Sequence, residues 1–169
     1  MLPPSRKFSA VIAAPFGALG IASTEQFVDT IEFLPPDHPC QTSANRLAEL
    51  AAEQLERYLA DPDFRFDLPL ALHGSAFRRR IWAAIAAIPR GHTRTYGALA
   101  REAHSAARAV GQACGDNPFP IVIPCHRVVA ASGLGGFAHD RGGFLLDAKR
   151  WLLRHEGAPP PETIQLPLI

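Results

Sequence analysis

A short apolar segment enclosed by prolines places the strongest constraint on how this chain can fold. Residues 121–123, Ile-Val-Ile, lie between Pro120 and Pro124, and this pattern predicts a short buried strand. Cys125 and His126 follow at once. Because adjacent side chains of a regular strand point to opposite faces, these two can share a site only if the chain turns at Pro124, whose fixed φ favours a bend.

A cysteine beside an imidazole has the composition of a nucleophilic site. The thiolate is the reactive form, and a neighbouring base or positive charge lowers the pKa of the thiol. Taken alone, Cys125 is better explained as a small buried apolar side chain. The other two cysteines, Cys40 and Cys114, are too few and too scattered for a disulfide framework, so we predict structural roles for them and a reducing, intracellular environment.

The charge of the chain is divided unevenly along its length. Residues 1–74 carry 5 basic and 10 acidic side chains, a balance of −5, and residues 75–157 carry 12 and 5, a balance of +7. Glu162 brings the total to +1. A basic module predicts a polyanionic partner such as nucleic acid, although a solvated basic face is an alternative. No segment has the length and apolarity of a membrane span, and no leader is evident, so we expect no membrane partner.

Alternation and helical spacing predict a small sheet-and-helix unit in residues 1–73. The strands fall in residues 8–14, 18–23 and 27–34, and a helix with glutamates on its polar side spans residues 43–59. We find no catalytic pattern in this unit. A zinc site at His38 and Cys40 would need about four ligands with paired spacing, which are missing, so we predict no metal.

Capping residues predict a mostly helical second half. A serine or threonine precedes three of its helices, and a glycine follows the last. The middle two helices, joined by a tight turn, match a helix-turn-helix. The predicted helices run from Ser75 to the Pro89-Arg90-Gly91 sequence, over residues 96–102 after Thr95, over residues 106–115 after Ser105, and from Trp151 to the His155-Glu156-Gly157 sequence.

The second helix of the predicted helix-turn-helix has almost no side-chain bulk. Ala107, Ala109 and Gly111 are small, and Arg108 is the one large charged group on its first turns. Small residues let a helix backbone approach another surface closely. The helix therefore either packs against another helix or enters the narrow minor groove of DNA.

The sequence at residues 121–129, Ile-Val-Ile-Pro-Cys-His-Arg-Val-Val, resembles the active-site motif of the O6-alkylguanine-DNA alkyltransferases. The resemblance extends over residues 74–157. It implies an α/β (α+β) protein with a ribonuclease-H-like domain at residues 1–73, a DNA-binding alkyltransferase domain at residues 74–157 and a flexible tail at residues 158–169. It also implies activity without a cofactor. We expect a monomer, and the arginine-rich composition and the lack of an evident leader favour the cytoplasm, at the chromosome.

The same resemblance implies direct repair of O6-methylguanine in double-stranded DNA. The damaged nucleotide is flipped out of the helix, and the alkyl group passes once, irreversibly, to Cys125. His126 serves as the base through a water, and Glu156 orients it. Tyr96 donates a proton as guanine leaves, and Asn117 braces the turn that carries the cysteine.

On the DNA side, the resemblance makes Arg108 the finger that fills the gap left by the flipped nucleotide. Many relatives carry Gly-x-Tyr-Ser-Gly-Gly where residues 135–143 stand here, so this part of the substrate pocket lacks the tyrosine hydroxyl and the serine. The remaining assignments are to DNA binding for Thr95, Ala107, Ala109, Gly111 and Arg127, and to the substrate pocket for Val128, Phe137 and Ala138.

Two alternatives belong to other functional classes. A non-catalytic protein that binds alkylated DNA would lack the acceptor thiol, so Cys125 argues against it. A cysteine hydrolase could use Cys125, His126 and Glu156, but it gives no role to Arg108 or to the small-residue helix.

Overall fold

The structure, a computed structural model, describes residues 8–139 and 143–159. The chain divides into two units, residues 1–72 and 73–169, and this division lies one residue from the predicted boundary. The mixed α/β class predicted from the sequence is confirmed. Residues 160–169 of the predicted tail and residues 140–142 of the predicted pocket segment lie outside the described residues. Within the described ranges, no helix combines the length and apolarity needed to cross a bilayer.

The N-terminal unit is an antiparallel sheet packed against one helix, as predicted. Strands β1 (Ala10–Ala14), β2 (Gly17–Ser23) and β3 (Val28–Leu34) pair in that order, and α1 spans Arg46–Ala60. Asn45 caps α1 by accepting a hydrogen bond from the Ala48 N–H at 2.8 Å. The apolar side of α1 and the inner side of the sheet form a core that includes Leu19, Ile21, Val28, Ile31, Ala51 and Leu55.

The C-terminal unit consists mainly of helices around a very short parallel sheet. The elements are α2 (Ala76–Ala86), β4 (Arg94–Thr95), α3 (Tyr96–Glu102), α4 (Ala107–Gly115), β5 (Val128–Val129) and α5 (Gly143–His155). Helices α3 and α4 form the predicted helix-turn-helix, and His104 turns the chain between them with φ 53°. In the small sheet, Arg94 pairs with Val128 and Thr95 with Val129. This pairing was not predicted.

The predicted strand at residues 121–123 is wrong, although Ile121 and Ile123 are buried as expected. The segment is a turn in which Ile121 has φ 75° and the Ile123 N–H donates to the Phe119 carbonyl at 2.8 Å. Prolines on both sides lack the N–H that a strand ladder requires. The bend after Pro124 is confirmed, because Cys125–Arg127 is a single turn of 3-10 helix.

Two of the three predicted helix caps are confirmed. Ser75 and Thr95 accept hydrogen bonds from N–H groups in the first turns of α2 and α3. The cap predicted at Ser105 is wrong, because α4 begins one residue later and its cap position, Ala106, makes no side-chain hydrogen bond. Helix α5 begins eight residues before Trp151, since a buried lysine interrupts the apolar spacing that we used to find the helix.

Candidate active site

Asn117 holds Cys125 in place from the end of α4. Its Nδ2 donates to Cys125 Sγ at 3.1 Å and to the Ile123 carbonyl at 2.9 Å. Its Oδ1 accepts from the Phe119 N–H at 2.9 Å. One amide side chain therefore fixes both the turn and the sulfur that follows it, in agreement with the brace that the resemblance implied.

The Cys125 sulfur is held as a neutral thiol in the resting protein. Burial and a hydrogen-bonding contact with Cys114 raise the pKa of Cys125, whereas the Asn117 amide and the charge of Lys149 lower it. The raising effects dominate, and the net pKa lies well above the usual range. A base must therefore remove the proton before this sulfur can act as a nucleophile.

His126 and Glu156 form a buried imidazole–carboxylate pair. His126 Nε2 lies 2.5 Å from Glu156 Oε1, and the two side chains are 0% and 1% exposed. Burial alone would raise the pKa of Glu156, but the hydrogen bonds and charges of His126 and Arg127 hold it at about 2. Burial lowers the pKa of His126, and this outweighs the opposing effect of Glu156. The pair is thus a neutral imidazole beside a carboxylate.

This charge state assigns the imidazole proton. Because an ionised carboxylate only accepts hydrogen bonds, Nε2 carries the proton and donates it to Glu156, which leaves a lone pair on Nδ1. His126 Nδ1 is buried and has no hydrogen-bond partner in the part of the chain that the structure describes. The ring next to Cys125 therefore presents an unoccupied basic nitrogen.

Arg127, which was predicted to bind DNA, makes three hydrogen bonds inside the protein. Its Nε and Nη2 donate to the two oxygens of Glu156 at 2.8 and 3.0 Å, and its Nη1 donates to the Ile88 carbonyl at 2.5 Å. Only 13% of its side chain is exposed. A guanidinium engaged inside the protein in this way positions Glu156 and keeps it ionised.

Lys149 is a charged residue of this site that the sequence analysis missed. Its Nζ donates to the carbonyls of Val128, Leu134 and Gly136 at 2.8, 2.7 and 2.8 Å. Burial lowers the pKa of Lys149 to about 8. A charged residue on the apolar face of α5, in a chain with only two lysines, was the signal that could have found it.

Tyr96 and Arg108 line the same cleft as Cys125. The cleft encloses about 590 Å³. The Tyr96 hydroxyl donates to the Gly136 carbonyl at 3.1 Å. Burial is the largest cause that raises the pKa of Tyr96, so the phenol keeps its proton in the resting protein. The full lining is Tyr96, Ala107, Arg108, Gly111, Gln112, Cys114, Cys125, Gly136, Phe137 and His139.

Some of the predicted DNA-binding and pocket residues line the cleft, and the others lie outside its lining. Ala107, Gly111 and Phe137 belong to the lining, whereas Ala109 and Ala138 do not. The Thr95 hydroxyl caps α3 by accepting from the Ala98 N–H at 3.0 Å. Val128 also lies outside the lining, and its carbonyl accepts from Lys149. The roles of these residues in binding stay predictions.

Comparisons with known proteins agree with the geometry. The family model "6-O-methylguanine DNA methyltransferase, DNA binding domain" matches residues 76–158. The methylated-DNA–protein-cysteine methyltransferase of Mycolicibacterium paratuberculosis is 40% identical over 92% of this chain and 95% of its own. That of Salmonella typhimurium is 38% identical over 86% and 93%. The crystal structure of Mycobacterium tuberculosis OGT in complex with DNA superposes with a TM-score of 0.73 at 35% identity, covering 90% of this chain and 94% of that one.

Proposed function

The chain belongs to the methylated-DNA–protein-cysteine methyltransferase family, and on this premise we propose that it repairs O6-methylguanine in double-stranded DNA by moving the methyl group once to Cys125. The observation that supports these roles is that His126, which follows Cys125 in the 3-10 turn, has a buried Nδ1 with no hydrogen-bond partner among the described residues. The same cleft is lined by Arg108 from the helix-turn-helix. The presence of an acceptor thiol argues against the non-catalytic alternative.

The chemistry follows from the resting charges. His126 Nδ1 takes the proton of the Cys125 thiol, through a bridging water, and the imidazolium that forms is stabilised by Glu156. Sγ then attacks the methyl carbon, the S–C bond forms, and the C–O6 bond breaks with its electron pair passing to guanine. Tyr96 donates its proton toward N3 of the departing base. Because the thioether is stable, each molecule acts once.

The exposed side of α4 supports the DNA-binding part of the proposal. Arg108 and Ala107 are exposed at the start of the helix, and an added Cβ at Gly111 would meet nothing within 4 Å. This open, small-residue surface permits close approach to the minor groove, and in our proposal Arg108 enters the duplex where the flipped nucleotide had been. We also propose that the protein acts in the cytoplasm, at the chromosome of a bacterial cell.

Intact mass spectrometry of the protein after mixing with a duplex that contains one O6-methylguanine tests the proposal. We expect a gain of one methyl group per molecule, located on Cys125 by fragmentation of the peptide. Cys125→Ser should gain none, and the matched variant Cys114→Ser should still gain one. Tight binding of the damaged duplex with no change in mass would refute transfer and favour a protein that only recognises the lesion.

A further inference from the structure

A series of hydrogen-bonded side chains that the proposed chemistry does not use begins at the cleft. His139 lines the cleft with Cys125, and its Nε2 lies 2.9 Å from Asp116 Oδ1. Asp116, directly after α4, also accepts a hydrogen bond from the Arg78 guanidinium of α2. The imidazole thus connects the segment at residues 135–139, here called the pocket loop, to the C-terminal end of α4.

Gly115 provides the space for this connection. It lies in the last turn of α4, and a Cβ added there would overlap three atoms of the His139 ring, Cε1, Nδ1 and Nε2. An alanine would suit the helix better than glycine by about 1 kcal/mol. The glycine therefore has a packing explanation, since it allows the imidazole to lie directly on the helix.

The backbone of the pocket loop also requires an anchor. Ala138 and His139 have φ values of 49° and 67°, a left-handed conformation that costs about 1 kcal/mol or more for a residue with a side chain. At the inner end of the loop, the Gly136 carbonyl accepts from Tyr96 and Lys149. At the outer end, a contact between His139 and Asp116 joins the strained residues to the end of α4.

We propose that His139 determines how large an alkyl group the cleft accepts. Gly136 and His139 each have hydrogen-bond partners outside the pocket loop, and Phe137, which lies between them in sequence, is only 6% exposed. The wall of the cleft that these three residues line therefore has a set position. Release of His139 from Asp116 lets this wall move outward and admits bulkier O6 substituents. This inference rests on the proposed function, and it identifies a specificity-determining residue of the same site.

The test compares two duplexes, one with O6-methylguanine and one with O6-benzylguanine as a bulky probe. In His139→Ala we expect the benzyl-to-methyl ratio of second-order rate constants to rise about tenfold or more, within the range that pocket size produces. Gly115→Ala should raise the ratio in the same way, because it displaces the imidazole without removing either partner. Asp147→Asn, which breaks an exposed ion pair with Arg150 on α5, is the matched control and should leave the ratio unchanged.

An unchanged ratio in both His139→Ala and Gly115→Ala would overturn the inference, as would an equal loss of rate with both duplexes. A second readout needs no DNA: the rate at which Cys125 reacts with N-phenylmaleimide relative to iodoacetamide, read at that residue by peptide fragmentation. This ratio should rise in the same two variants. If the wild-type protein transfers no methyl group, the proposed function fails, and the reagent ratio still decides whether His139 limits access to the sulfur.

Discussion

The N-terminal unit buries polar side chains that are uncharged, whereas the C-terminal unit buries an imidazole, an ammonium and a carboxylate. Among the described residues, the first group is Thr30 and Gln54, and the second is His126, Lys149 and Glu156. Moving an ion out of water costs several kcal/mol unless charges and dipoles of the protein replace the solvent. The N-terminal core avoids this cost, and the C-terminal core accepts it around Cys125.

The comparison shows that the chain accepts the free-energy cost of buried charges at its candidate active site. The ion pairs Arg46–Glu49 and Arg57–Glu53 of the N-terminal unit are more than half exposed on both partners, and such pairs contribute little. In the C-terminal unit, Glu156 receives hydrogen bonds from His126 and Arg127 away from solvent. Glutamates that form ion pairs are therefore exposed on the surface of the N-terminal unit, whereas Glu156 is part of the interior of the C-terminal unit.

The largest effect that this comparison predicts is from Glu156→Ala. Arg127 would keep a buried charge without its partner, so we expect a loss of about 3–5 kcal/mol in the free energy of unfolding in urea. Methyl transfer should slow by about 10²–10⁴-fold, because His126 loses the group that orients it. Glu53→Ala in the N-terminal unit is the matched control, and it should cost less than about 1 kcal/mol. Equal losses in the two variants would break the comparison.

A second prediction concerns acid. Burial lowers the pKa of His126 in the folded state. At a pH below the ordinary pKa of histidine, the unfolded chain therefore binds a proton that the folded chain does not, and the free energy of unfolding decreases as the pH is lowered. Glu156 has a folded pKa of about 2 against 4.5, so its contribution is present above pH 4.5 and is lost as pH falls toward 2, a change of about 3 kcal/mol. Urea unfolding at a series of pH values measures both. Glu156→Gln should remove the lower part of this dependence, and an unchanged profile in that variant would contradict the assignment.

The smallest predicted effect comes from a matched pair of helix caps, one in each unit. Asn45→Ala and Thr95→Ala each remove a hydrogen bond to the first turn of a helix and should cost about 1 kcal/mol. Only Thr95→Ala should also slow methyl transfer, because Tyr96 begins the helix that Thr95 caps. If Asn45→Ala slowed methyl transfer as much as Thr95→Ala does, with the same loss of stability, the N-terminal unit would contribute to the chemistry, and the comparison would be wrong.

Local signals predicted most of the elements and the reactive turn. Strand alternation, the caps at Ser75 and Thr95 and the bend at Pro124 depend on residues close in sequence, so they can be read directly. The pairing of β4 with β5 joins segments more than 30 residues apart, and two residues carry too little pattern to predict it.

The contacts of the site that were not predicted have the same physical origin. Arg127 was predicted to bind DNA because it belongs to the motif, and its contact with Glu156, which lies 29 residues away, was not predicted. Lys149 was missed because its partners are three backbone carbonyls. Every residue has a backbone carbonyl, so the sequence does not show which ones bind a lysine. The resemblance supplied Glu156 and Tyr96, which composition and spacing alone would have left as a surface carboxylate and a core aromatic residue.

The two-residue ladder between β4 and β5 has an evolutionary consequence. Tyr96 follows directly on Thr95, and Cys125 lies one short helical turn before Val128, so the proposed proton donor and the proposed nucleophile are joined to one set of main-chain hydrogen bonds. Their separation is fixed by backbone pairing, which most substitutions leave intact. The pocket loop is not part of this ladder. If the pocket loop sets which lesion is accepted, as we propose, we expect its sequence to diverge among descendants while the pairing that holds Tyr96 and Cys125 is retained.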